Sequence, residues 1–157
     1  MPYQVLLFDD RPQMRVSLTE ILEAEGMIVI SCKNVFEAVE AWENLHNEID
    51  ALVLDMMMPS RGLSRTYLNS LDGEKNTGWA WLWHRLNEDH HDPHPAAEKC
   101  IIIFSAYLEE FREYLKRLDP KSPEAIFAAG LHLIGKNDEN NTEEIISVLR
   151  KDRDATV

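Results

Sequence analysis

The sequence predicts a doubly wound α/β domain built on a parallel five-stranded sheet. Three observations lead there. Five short apolar runs, "YQVLLF", "MIVIS", "DALVL", "CIIIF" and "LHLIG", are spread along the 157 residues. Most are continuous rather than alternating, as in strands covered on both faces. Between them lie segments with apolar residues at helical spacing, and this alternation implies parallel strands joined by right-handed crossovers.

The first run, within "VLLFDDRPQM", stops at two adjacent carboxylates, Asp9 and Asp10. A helix follows: Pro12 suits its first turn, Met14, Leu18, Ile21 and Leu22 share one face, and Gly26 suits the exit. After the second strand, Asn34 is the expected cap of a helix carrying Val35, Val39, Trp42 and Leu45. The third strand, in "ALVLDMMMP", ends at Asp55. Residues 60–77, "SRGLSRTYLNSLDGEKNT", are rich in hydroxyl and amide side chains and contain Gly62 and Gly73, so they are expected to be an inserted loop. Beside Asp55 that insertion reads as a lid, a docking element or a solvated loop, with Arg61 and Arg65 able to meet phosphate or a partner's acids.

In "GWAWLWHRLNEDHHDPHP", Trp79, Leu82, Trp83 and Leu86 form one helical stripe, expected in the core. Trp81 falls off that stripe and is expected to pack under the insertion or to stand exposed as a contact anchor. The spacing of His84, His90, His91 and His94 matches no standard zinc site, and the nearby acids and prolines suggest a surface turn. The fourth strand, "CIIIFSAY", ends at Ser105. Pro120 should break the helix after it. Ser122, Pro123 and Gly130 then bound an extra helical segment at about 119–130. The fifth strand, "LHLIGK", ends at Lys136. A last helix starts near "NTEE", with Asn141 and Glu144 spaced as a capping pair, and buries Ile145, Val148 and Leu149.

Five βα units suggest the flavodoxin-like strand order 2-1-3-4-5, in one domain over residues 1–157 with insertions after the third strand and in the region of the fourth helix. Ligands of such sheets bind beyond the carboxyl ends of the first and third strands. Asp9, Asp10, Asp55, Ser105 and Lys136 all stand at strand ends on that rim. Clustered carboxylates with water access suit Mg2+, which would offset the repulsion between Asp9 and Asp10. Asp55 has the chemistry of both a metal ligand and a nucleophile toward a phosphoryl group. Ser105 and Lys136 would each hold one phosphoryl oxygen.

Composition narrows the function classes. Asp and Glu outnumber Lys and Arg 28 to 16, a net charge of -12, so the electrostatic footprint of a nucleic-acid binder is missing. Cys32 and Cys100 lie in apolar segments and read as reduced core residues. "MPYQVLLFDD" lacks a basic leader and no apolar run reaches membrane-spanning length, so a cytoplasmic protein without membrane association is expected.

"VLLFDDRPQMRVSLTEILEAEG", "ALVLDMMMP", "IIIFSAY" and the late lysine together resemble the receiver domain of two-component response regulators, the CheY-like superfamily. The resemblance implies Asp55 as phosphoacceptor, with Asp9, Asp10 and the backbone carbonyl of Met57 as Mg2+ ligands. It implies Ser105 as switch hydroxyl and Lys136 as phosphate-sensing cation. The donor would be a sensor histidine kinase or a histidine phosphotransfer protein. Two positions depart from the family. Asn137 stands where proline usually follows the lysine, which leaves Gly135 to supply backbone freedom there. Leu133 replaces the usual Tyr or Phe; Tyr107 could substitute for that aromatic, but its place just after Ser105 suggests another role, in which with Met57 it would shield an acyl phosphate or merely pack at the rim.

The chain ends about where the fifth helix of such a domain ends, so output is expected through contact with a downstream protein. The remodelled face before the fifth strand suggests an unusual partner or self-association, including a homodimer. A receiver-like interaction module that no longer switches is the alternative. An aspartate-nucleophile phosphohydrolase fits less well, because residues 56–58 are all Met and supply no general acid.

Overall fold

The computed structural model describes residues 2–59, 61, 63, 76–88 and 93–155. Most of the 60–77 insertion, Arg65, His90 and His91 lie outside the described residues. The elements run β1 (Gln4–Phe8), α1 (Pro12–Ala24), β2 (Ile28–Cys32), α2 (Val35–Leu45), β3 (Ala51–Leu54), then α3 (Thr77–Trp79), which continues as a π-helical stretch, Ala80–Arg85. After it come β4 (Cys100–Ser105), α4 (Leu108–Lys116), α5 (Pro123–Ala128), β5 (His132–Gly135) and α6 (Asn141–Ala155). The five strands pair in parallel in the order β2-β1-β3-β4-β5, the flavodoxin-like order the sequence predicts.

Alternate residues of the central strands feed two cores. Leu6, Phe8, Leu52, Leu54, Ile101 and Ile103 face α2, α3 and α4. Val5, Leu7, Val53, Ile102 and Phe104 face Leu18 and Leu22 of α1 and Ile145 and Leu149 of α6. β1, β3 and β4 are buried almost throughout, whereas the edge strand β2 leaves Ile28 exposed. Continuous apolar runs therefore mark central strands well and edge strands less well. Cys32 and Cys100 are buried free thiols, pushed up to about 12 mainly by burial. Among the described residues no helix is long and apolar enough to cross a membrane.

Local sequence explains the helix ends. Asn34 Oδ1 accepts the Glu37 amide at 2.9 Å, which satisfies one orphan donor at the start of α2, and Glu37 Oε1 reaches back to the Lys33 amide at 3.1 Å, just before the cap. Gly26 closes α1 at φ 82°, the left-handed region glycine enters without penalty. Ser122 Oγ accepts the Ala125 amide at 3.2 Å and Pro123 occupies the first turn of α5. At the last helix the expected capping pair does not form. Asn141 is already helical, and its Nδ2 instead donates to the Lys136 carbonyl at 2.8 Å, because the tight turn after β5 brings that carbonyl within reach.

The π-helical stretch corrects the reading of Trp81. The Leu86 amide bonds to the Trp81 carbonyl at 3.1 Å, a spacing of five residues. This wider turn rotates side chains away from their α-helical positions. Trp81 is fully buried against Phe8 and Trp42, with ring centroids 5.3 and 6.5 Å away.

His94 is likewise not on a surface turn. It is buried, with Nδ1 accepting the Ala96 amide at 2.9 Å and Nε2 lying 2.8 Å from the Leu82 carbonyl. This pairing assigns the proton to Nε2. Its ring stacks on Phe127 at 4.3 Å and on Trp83 at 5.3 Å. Burial lowers its pKa from the ordinary value of 6.5. A depressed folded-state value means that stability is present above the unfolded pKa and lost as pH falls through the folded one. His94→Ala is expected to cost about 2 kcal/mol at neutral pH and to flatten the loss of stability on acidification. Urea titrations at pH 7.5 and below 6 check both.

Candidate functional site

Hydrogen bonds of the sheet ladder continue one residue past the strands and set the rim. The Asp9 amide donates to the Cys32 carbonyl at 3.1 Å, that of Asp55 to Phe8 at 2.8 Å, and that of Lys136 to Ser105 at 2.9 Å. Asp9, Asp55 and Lys136 are thus pinned to the neighbouring strand before their side chains leave the sheet.

The side chains then converge. Lys136 Nζ lies 2.8 Å from Asp9 Oδ2 and 3.0 Å from Asp55 Oδ2. All three side chains are at most 5% exposed. The Phe104 ring centroid is 5.6 Å from the same ammonium. The second oxygen of each carboxylate takes a main-chain donor: the Arg11 amide on Asp9 Oδ1 at 2.9 Å, the Met57 amide on Asp55 Oδ1 at 3.3 Å. Asp10 is half-buried, its amide donating to Met58 Sδ at 3.1 Å. Asp9, Asp10 and Asp55 each present a carboxylate oxygen within 4.8 Å of the others. One ammonium against three carboxylates leaves two negative charges uncompensated, and the donors are all hard oxygens. This donor set fits a divalent cation of the Mg2+ type.

Electrostatics bear most on Asp55. Burial raises its pKa, Lys136 opposes that rise and Asp9 adds to it, leaving the carboxyl at about 6 against an ordinary 3.8. Asp55 is therefore ionised above neutral pH but held at an energetic cost, which a bound cation would relieve.

Ser105 and Gly135 stand side by side at the ends of β4 and β5, on the same rim. Ser105 is fully buried and its Oγ accepts the Tyr107 amide at 3.0 Å. Among the described residues that hydroxyl makes no hydrogen bond to the side chains of Lys136, Asp9 or Asp55. Tyr107 is half-buried at the start of α4. The Met57 side chain is 38% exposed. Leu133 packs against the core on the α2–α4 side. Gly135 is not needed for a positive φ, since Gly26 has the positive φ. It supplies room instead: a Cβ there would meet Asp138 Oδ2 at 2.9 Å, the oxygen that accepts the Gly135 amide at 3.2 Å.

Sequence reasoning missed two contributors. The first is Gly78, in the first turn after the insertion. A Cβ on Gly78 would stand 2.0 Å from the Asp55 carbonyl oxygen. Its amide donates to the Met56 carbonyl at 3.0 Å, and Thr77 Oγ1 donates to the Met58 carbonyl at 2.6 Å. The start of α3 thus clamps the loop that carries Asp55. A glycine inside a helical apolar stripe was the available signal. The second is Arg15, whose Nη1 donates to the Asp9 carbonyl at 2.9 Å, a contact that leaves no mark in sequence spacing.

Comparison with known proteins agrees with this geometry. The family described as "Response regulator receiver domain" matches residues 5–66. A receiver domain from Clostridium thermocellum superposes with a TM-score of 0.63 at 17% identity, over 98% of this chain and 96% of that one. The receiver domain of the Francisella response regulator 1452 gives 0.63 at 20% identity, over 99% of each chain. The CheX–CheY–BeF3–Mg2+ complex from Borrelia burgdorferi gives 0.62 at 22% identity, over 96% and 89%. No curated protein matches the chain. Over residues 5–66 the sequence matches the response regulator receiver domains, and along almost its whole length the chain has the fold of the receiver domains it superposes on.

Proposed function

We propose that this receiver domain takes a phosphoryl group onto Asp55 and signals by contact with another protein. The observation that carries this is the buried Lys136 ammonium shared between Asp9 and Asp55, with the Asp10 carboxylate alongside. An Asp55 oxygen attacks phosphorus in a phosphohistidine of a sensor histidine kinase or phosphotransfer protein. The P–N bond breaks, and the imidazole nitrogen keeps the electron pair and takes up a proton. Asp9, Asp10 and Asp55, with the Met57 carbonyl, would hold Mg2+, which when bound neutralises charge on the transferring oxygens. The Borrelia CheY, solved with BeF3 and Mg2+, shares this fold.

The chain's own residues do the rest. Lys136 gives up one carboxylate and pairs with a phosphoryl oxygen at the same rim. The Ser105 hydroxyl, one residue before the exposed Ala106, would donate to another. Main-chain donors from Arg11 and Met57 hold Asp9 and Asp55 in position throughout. Met57, exposed two residues after Asp55, would limit water attack on the acyl phosphate.

Incubation with a small phosphodonor and Mg2+, followed by intact mass, tests the reading. One phosphoryl group per chain is expected, with complete loss in Asp55→Asn and on chelation of the metal. Equal incorporation in Asp55→Asn would remove Asp55 from the role.

A further inference from the structure

Trp79 is fully buried at the end of α3, and its indole N–H donates to Glu124 Oε1 at 2.8 Å. The Tyr114 hydroxyl donates to that same oxygen at 2.6 Å. Glu124 belongs to α5 and Tyr114 to α4, so one half-buried carboxylate oxygen ties three helical elements together. Ring contacts reinforce the tie. Trp79 packs on Phe111 of α4 at 5.3 Å and on Phe127 of α5 at 6.0 Å, and stacks on Trp83 at 6.1 Å.

The other side of Trp79 leads directly to the acceptor. Its chain neighbour Gly78 has no room for a Cβ against the Asp55 carbonyl, and the Gly78 amide holds the Met56 carbonyl. From the main chain of Asp55 to the surface of α5, every contact is packed or hydrogen-bonded.

We propose that the Trp79–Glu124–Tyr114 junction carries the phosphorylation state of Asp55 to the α4–α5 surface. The inference rests on the reading of Asp55 as phosphoacceptor. A phosphoryl group brings new charge and new hydrogen-bond acceptors to Asp55, so Lys136 and the Asp55 main chain must re-pair. Gly78 leaves no slack to absorb that shift. Trp79, enclosed by rings, moves only by changing how its indole meets Glu124, so the junction has two discrete arrangements, engaged and released. Once released, Glu124 is already at the protein surface. α5 has six residues, too few to hold a helix alone, and it depends on this junction for order. It presents Ile126, 65% exposed, to solvent, so the change reaches the surface a partner would touch.

Hydrogen exchange across residues 108–128, measured with and without a small phosphodonor and Mg2+, tests this alongside intact mass. In the wild type, exchange in α5 is expected to change severalfold on phosphorylation. Glu124→Gln keeps an acceptor oxygen and should respond like the wild type. Glu124→Leu should incorporate the phosphoryl group but exchange rapidly in both states, with no response. Tyr114→Phe keeps the ring, loses one of the two bonds, and should respond less than the wild type, so the test does not depend on the leucine variant folding. Phosphoryl incorporation with unchanged exchange in wild-type α5, or a full response in Tyr114→Phe and Glu124→Leu, would overturn this inference alone. Absence of incorporation in the wild type would overturn both it and the assigned role of Asp55.

Discussion

Alanine at position 78 is expected to lower the melting temperature by roughly 6–12 °C and to abolish phosphoryl uptake on Asp55. The cause is steric. The added methyl group would stand 2.0 Å from the Asp55 carbonyl oxygen, and that oxygen belongs to backbone pinned by the Asp55 amide on Phe8. Neither side can yield cheaply, so the cost is on the order of 3 kcal/mol, the upper range for overpacking. Relief by moving α3 would also displace Trp79 and the loop Met56–Met58. The Asp55 carboxylate would therefore lose its alignment even in molecules that fold. Gly130→Ala is the matching control. There the Cβ would meet the Phe127 carbonyl at an ordinary 3.6 Å, and stability should change by less than about 0.5 kcal/mol. Thermal melts and intact mass after phosphodonor treatment read both variants. A Gly78→Ala protein that melts like the wild type and takes up phosphoryl normally would show that α3 does not clamp the acceptor loop.

Much of this fold was legible because its strands are central and parallel. Continuous runs such as "ALVL" and "CIIIF" have few alternatives to a strand buried on both faces, and a polar residue directly after each run then marks the ligand-binding rim. Asp9, Asp55 and Lys136 could be placed together from strand order alone. Periodicity failed where the backbone left its standard period. The π-helical stretch at Ala80–Arg85 turned Trp81 inward, against the 3.6-residue pattern. His94 failed for another reason: its burial depends on Trp83 and Phe127, which come from two other parts of the chain, and no local pattern records such a meeting. The same holds for Gly78 and Glu124. Their importance lies in what they approach across the fold, a carbonyl 23 positions earlier in one case and an indole 45 positions earlier in the other.

Lys136→Met should produce a stability deficit that depends on both pH and divalent cation. Removing one partner from a buried ion pair leaves uncompensated charge, which typically costs about 3–5 kcal/mol. Here the ammonium faces two carboxylates at 2.8 and 3.0 Å with almost no solvent. The sign follows from Asp55, whose folded-state pKa stands at about 6 against 3.8 unfolded. A raised value means the folded protein binds the proton more tightly. That contribution to stability is fully present below the unfolded pKa and is lost as pH rises through the folded one, an effect of about 3 kcal/mol. Lys136 is what opposes the rise, so its removal lifts the Asp55 pKa further and carries the loss to higher pH. The deficit of the variant should therefore be greatest near pH 8 and shrink toward pH 5, where Asp55 is protonated. Added Mg2+ should recover more stability in the variant than in the wild type, since a divalent charge replaces the missing ammonium between the same carboxylates. Phosphoryl uptake should still fall by about two orders of magnitude, because the methionine cannot hold the transferred oxygen whatever the metal does. Urea titrations at pH 5 and pH 8, with and without Mg2+, separate these terms. A deficit indifferent to both pH and Mg2+ would mean that Lys136 acts by filling space, and the charge balance assigned to this rim would be wrong.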